Sequence, residues 1–209
     1  AHAEVGGEWQ IWGCSPGCWA VIPRATRWFE VHRWEPGQPW FSPEYTQFLR
    51  DFPGIVYTGA RIPEIKNHVP YPIDYIEEKF SSYFLTSSLA LMMALAIDTI
   101  EAIRRARRAI STEKAARLAS GSPEPQNLCN PLPPGIPIEE LQKPDSDDVI
   151  GLWGVDMAAS DEYAYQRPGC QHFIGLAKAM GIAIVIQARS SVHTVGVAGL
   201  VLMGGLNVV

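Results

Sequence analysis

IGLWGVDMAASDEYAYQRPGC, residues 150–170, decides how the chain is read. An apolar run from Val149 to Trp153 meets Gly154 and then Asp156. Asp161, Glu162, Tyr163, Tyr165, Gln166 and Arg167 follow soon after. A short continuous apolar run bounded by glycine is the pattern of a strand covered on both faces, as in a parallel sheet. In such sheets ligands sit beyond the carboxyl ends of the strands. The stretch therefore predicts an α/β fold, with polar chemistry delivered to its ligand edge.

The flanking sequence alternates in the same way. Trp9 to Cys14 is a short apolar run stopped by Ser-Pro-Gly, which reads as a first strand. RWFEVH, residues 27–32, reads as a second. Ser42 caps a helix predicted from Pro43 to Arg50, with proline at its first position. Ile55 to Tyr57 is a third strand. Residues 59–72 contain three prolines and read as a loop, and Ile73 to Phe80 as a helical turn or two. Thr86, Ser87 and Ser88 then cap a long helix. Its first half, LALMMALAI (89–97), is apolar all round and should be buried. Its second half is amphipathic and basic, and Arg104, Arg105, Arg107 and Arg108 read as a solvated face. Residues 120–147 are rich in proline and are expected to form an exposed insert. Pro168 to Met180 reads as a helix ended by Gly181, and IAIVI (182–186) as a further buried strand. Together these predict a single α/β domain, a mostly parallel sheet flanked by helices.

Composition narrows the function. With 47% hydrophobic residues the 209-residue chain can fill one core. A net charge of −5 argues against a general nucleic-acid binder. Of seven tryptophans, five fall in the first 34 residues, which reads as a packed N-terminal core or a platform for stacking bases or sugars. Cys14 and Cys18 are followed by no second close pair at zinc spacing, so Cys14, Cys18, Cys129 and Cys170 are expected to be reduced thiols in a cytoplasmic setting. No signal peptide is visible. The tail VGVAGLVLMGGLNVV (195–209) is shorter than the roughly 20 residues of a spanning helix. It reads as a strand, an oligomer contact or a poorly ordered tail.

The pairing of FLTSSLALMMALAI (84–97) with VIGLWGVDMA (149–158) is similar to a pattern of the Rossmann-like superfamily. That superfamily includes the 6-hydroxymethylpterin diphosphokinase-like proteins and the sialyltransferases of glycosyltransferase family 42. YQRPGCQHFIGLAKAMGIAIVI (165–186) looks like their closing helix and strand. Residues 9–58, 84–110 and 148–187 more closely resemble a Rossmann-like family of bacteriophage and prophage proteins. The resemblance implies a nucleotide or nucleotide-sugar site. It places Gly13 and Ser15 at the nucleotide, Thr86, Ser87 and Ser88 at phosphate or base, and Gly154 and Asp156 at the ligand. The segment after the aspartate, where the sialyltransferases place a catalytic His and Tyr residues, offers Tyr163, Tyr165, Arg167 and His172, the first three as ligand-binding groups, but no His at the matching position. The superfamily's opening strand and Gly-x-x-Pro-Ser loop have no counterpart here, which implies a truncated start, a gap filled by another protomer, or an altered site.

The reading that follows is a nucleotide-binding transferase moving a glycosyl or diphosphoryl group. His32, Asp161 and Glu162 are the candidate catalytic residues, one of them serving as base. Asp156 would hold ribose hydroxyls or a metal, Mg²⁺ in the diphosphoryl version. The expected setting is the cytoplasm of the host cell, or the virion, with no membrane partner and a possible homo-oligomer through residues 195–209. The alternative is a non-catalytic binding or assembly protein, a virion component or a defence antagonist that sequesters a nucleotide.

Overall fold

The computed structural model describes residues 9–14, 16, 19–22, 24–80, 83–120, 141–153, 161–186 and 200–204, the backbone alone at 146, 161–164 and 200–204. They form strands β1 (Gln10–Cys14), β2 (Arg27–Glu30), β3 (Ile55–Thr58), β4 (His68–Pro70), β5 (Val149–Trp153), β6 (Ala183–Ile186) and β7 (Leu200–Gly204). The helices are α1 (Pro43–Asp51), α2 (Ile73–Phe80), α3 (Ser88–Ser120) and α4 (Asp161–Ala179). The fold is α/β. One seven-stranded sheet runs in the order β4-β3-β2-β1-β7-β5-β6. Neighbours β1 to β4 pair in parallel, as do β5 and β6. β7 lies antiparallel between the two groups, Trp12 opposite Val201 on one side and Leu152 opposite Val201 on the other.

Side-chain alternation along the strands feeds two cores. On one face, Trp12, Phe29, Ile150 and Leu152 meet the buried first half of α3 and Phe173 and Ala177 of α4. Arg27 is buried beside them, its guanidinium 4.9 Å from the Trp12 ring and donating to the Tyr57 hydroxyl at 2.8 Å. On the other face, Trp28 and Val56 meet Tyr45, Leu49 and Phe52 at α1. The tryptophan-rich segment is thus largely core, with Trp12 and Trp28 fully buried. Further along that second face the Trp153 ring lies back over Gly151, where a Cβ would come within 1.7 Å of it, and meets Trp9 edge-on at 6.0 Å.

Three sequence expectations are corrected. A short strand, β4, lies inside the predicted 59–72 loop. It is an edge strand ending at Pro70, a position where the missing N–H costs no ladder bond. The fourth helix begins at Asp161, not Pro168, so the proline lies within it. Asp161 and Glu162 are therefore first-turn residues, where negative charge suits the helix dipole. The third correction concerns the arginines. Arg105 and Arg108 are exposed, but Arg104 and Arg107 are buried. One helical turn apart, both reach Asp148: Arg104 Nε donates at 2.6 Å and Arg107 Nη1 at 2.9 Å. Arg104 also donates to the carbonyls of Met180 and Gly181, at 2.6 and 3.2 Å. Acceptors at the starts of β5 and β6 turn this part of the basic face inward.

That junction orients α3. Asp148 and Gly181 precede β5 and β6, so Arg104 sits at the amino edge of the sheet. Ser88 lies about 24 Å further back along the helix at 1.5 Å per residue, more than the length of a five-residue strand, about 17 Å. The α3 N-terminus therefore stands at the carboxyl edge. Of the 120–147 insert, 121–140 lie outside the described residues. The part that is described ends in a 3-10 turn at Asp145–Asp147, with Asp145 3.2 Å from Arg107.

Candidate functional site

The carboxyl ends of the parallel strands bring together Cys14, Glu30, Thr58 and Trp153, with Leu200 of β7 opposite Trp153. The chain leaves β2 at Glu30, two residues short of the predicted end, and His32 is the second residue beyond. Glu30 is fully buried. Its Oε1 lies 2.6 Å from His32 Nδ1 and accepts the His32 backbone N–H at 3.1 Å. Its Oε2 accepts the Tyr45 hydroxyl at 2.5 Å, and that hydroxyl accepts Trp28 Nε1 at 2.9 Å. Tyr45 is held there because Ser42 caps α1, accepting the Tyr45 backbone N–H at 3.2 Å, with Pro43 preset for the first turn. Burial, reinforced by the Glu30 charge and hydrogen bond, pushes the Tyr45 hydroxyl's pKa well above the ordinary range. Tyr45 therefore stays protonated and donates. The His32 side chain is about half exposed (51%) while the Glu30 side chain is not exposed at all. The pair thus presents a ring to solvent from a carboxylate anchored in the core.

His32 is the predicted base; Glu30 is not among the predicted residues. The signal lay in the E-x-H spacing, since residues two apart on an extended segment share a face. No spacing could have found Tyr45, which arrives from a helix.

The other predicted residues divide. Gly13 lies on β1 beneath the Trp28 ring, and a Cβ there would come within 2.4 Å of a ring carbon. Its lack of a side chain serves core packing. Ser87 is the N-cap of α3, its Oγ accepting the Ala90 N–H at 3.1 Å. Thr86 Oγ1 donates to the Tyr165 carbonyl at 3.0 Å, tying the cap to α4. Gly169 makes this approach possible: a Cβ there would meet the Phe84 carbonyl at 2.1 Å and Thr86 Oγ1 at 2.8 Å. Ser88 opens the helix. Tyr165 and Arg167 are exposed on α4. His172 stacks on Phe84 at 4.7 Å. Ser15, Gly154 and Asp156 lie outside the described residues, as do the side chains of Asp161, Glu162 and Tyr163. So do Cys18 and Cys129.

The candidates also take different sides of the sheet. Glu30, His32 and Tyr45 belong to the α1 face, whereas the α3 cap, Tyr165 and Arg167 belong to the α3–α4 face. They share only the rim between them. Among the described residues no group of three or more His, Cys, Asp or Glu is placed to hold a metal ion. Among them, too, no helix is long and apolar enough to cross a membrane. Cys14 and Cys170 are both buried thiols. No protein-family model, no curated protein and no solved structure matches the chain.

Proposed function

We propose that the chain is a nucleotide-dependent transferase of phage type, with His32 as its general base at the carboxyl edge. The observation that carries this reading is the 2.6 Å contact between His32 Nδ1 and the buried Glu30 carboxylate. A carboxylate behind an imidazole orients the ring and supports its charge as it takes a proton. In the reaction, His32 Nε2 takes the proton of an acceptor hydroxyl. The acceptor oxygen forms a bond to the sugar carbon or the phosphorus being transferred. The bond from that atom to the nucleotide's phosphate oxygen breaks, and the nucleotide leaves with the electron pair. In the diphosphoryl version Mg²⁺ would neutralise phosphate charge. The N-terminus of α3 at the same edge suits an anionic donor, since its backbone N–H groups and dipole point there.

Calorimetric titration with a panel of nucleotides and nucleotide sugars, followed by turnover assays on the binders, tests the reading. His32→Asn should keep binding and lose about 10²–10⁴ in kcat. If no member of the panel binds, the transferase reading falls. The alternative is a non-catalytic binding or assembly protein. It draws support from Thr86 and Ser87, two predicted phosphate ligands whose hydroxyl groups already bond within the chain.

A further inference from the structure

We propose that a chain of donors beginning at the Trp28 indole fixes the tautomer of His32, with Tyr45 and Glu30 as positioning residues. This rests on the reading of His32 as a base for its functional meaning, though not for its geometry. An indole N–H can only donate. Trp28 Nε1 lies 2.9 Å from the Tyr45 oxygen, so that oxygen accepts. The Tyr45 proton then points to its remaining neighbour, Glu30 Oε2 at 2.5 Å. The His32 backbone N–H, also only a donor, occupies one lone pair of Oε1. The Tyr45 hydroxyl and the His32 backbone N–H both donate to Glu30, so its two oxygens are set as acceptors on the side that faces the ring. The contact from Oε1 to His32 Nδ1 at 2.6 Å is a hydrogen bond only if Nδ1 carries the proton. Nδ1 is therefore protonated in both charge states of the ring, and Nε2 is the nitrogen that gains and loses a proton.

The device has a direction. Trp28 and Glu30 lie on the same strand and the same face, and Tyr45 of α1 bridges them. Turning the Tyr45 hydroxyl round would set its hydrogen against the indole hydrogen, so the polarity is set in the core and read out at the rim. Cys14 adds to the upward shift of Tyr45, which keeps that hydroxyl a donor. Beside His32, Arg33 is paired with Glu35 at 2.9 Å.

The test is a long-range proton–nitrogen correlation spectrum of the ¹⁵N-labelled full chain, with His32 assigned through His32→Gln. Above the imidazolium transition the wild type should show a protonated Nδ1 and a bare Nε2. Glu30→Gln should abolish that preference and give a mixed signature, and Tyr45→Phe should weaken it. A bare Nδ1 in the wild type overturns the proposal, even if neither variant folds. So does a Glu30→Gln or Tyr45→Phe spectrum identical to wild type. No substrate is needed: a locked ring in a chain that binds no nucleotide would sink the transferase reading alone, whereas turnover with a bare Nδ1 would sink the lock alone.

Discussion

Arg104 on α3 and Asp148 at the foot of β5 meet at 2.6 Å with both side chains about nine-tenths buried. The contact fastens the long crossover helix to the amino edge of the sheet. A buried pair is expensive to break from one side, because the remaining charge stays in the core without compensation. Asp148→Ala takes from two buried arginines the carboxylate they share and should cost about 3–5 kcal/mol. Arg108→Ala removes an exposed cation 3.6 Å from Asp145 and should change stability by less than about 1 kcal/mol. Urea unfolding of the two variants checks the contrast; equal losses would mean that burial at Arg104 is not what matters.

Burial pushes the Cys170 thiol up to about 11. An acid whose folded pKa lies above its unfolded value stabilises the fold below the unfolded pKa, and that stability disappears as pH rises through the folded one. The loss should therefore fall between about pH 9 and 11, on the order of 2–3 kcal/mol for a shift of this size. Cys170→Ala should flatten that limb of the pH–stability curve. Alkylation at pH 8 should be slow in the folded chain and fast in denaturant.

Gly169→Ala places a methyl group against the Phe84 carbonyl. Backbone cannot step aside as a flexible side chain can, so α4 must move off the α3 cap. The expected cost is about 1–3 kcal/mol, read by thermal unfolding. Gly175→Ala, where an added Cβ meets nothing within 4 Å, should be neutral or stabilising through helix propensity.

Ser87→Ala should cost about 1 kcal/mol through the lost cap, and Thr86→Val about 0.5–1.5 kcal/mol through the lost bond to Tyr165. Because both hydroxyl groups bond within the chain, neither change should weaken nucleotide binding tenfold. A tenfold loss in Thr86→Val with unchanged stability would return Thr86 to the ligand.

What the sequence made legible follows from what each signal measures. Continuous apolar runs located β1, β2, β3, β5 and β6, but β6, expected to be buried, is an edge strand that leaves Val185 and Ile186 exposed, since an apolar run marks a strand without fixing its place in the sheet. Ser42-Pro43 and Ser87 marked helix starts through local backbone chemistry. The errors lie where tertiary context overrides local preference. Pro168 suggested a helix start, yet the helix runs through it. Periodicity put Arg104 on a polar face, and only Asp148, 44 residues away in sequence, turns it inward. Of the candidate site, His32 was legible as a polar residue at a strand end. Its anchor Glu30 was concealed within the strand, and Tyr45 and Trp28 join it only through the packing of α1.

The position of β7 bears on how the sheet is assembled. Its hydrogen-bonding slot lies between β1 and β5, and Trp12 finds its partner at Val201. Two groups of strands, β1 to β4 and β5 with β6, can each pair from neighbouring sequence, but they become one sheet only when β7, almost the whole chain away from β1, slots between them. Such long-range closure is slow, because loop entropy must be spent before the contact rewards it. Until then β1 and β5 each present an open inner edge, the kind of edge that recruits strands from other molecules. Refolding should therefore be slow, with yields that fall as protein concentration rises.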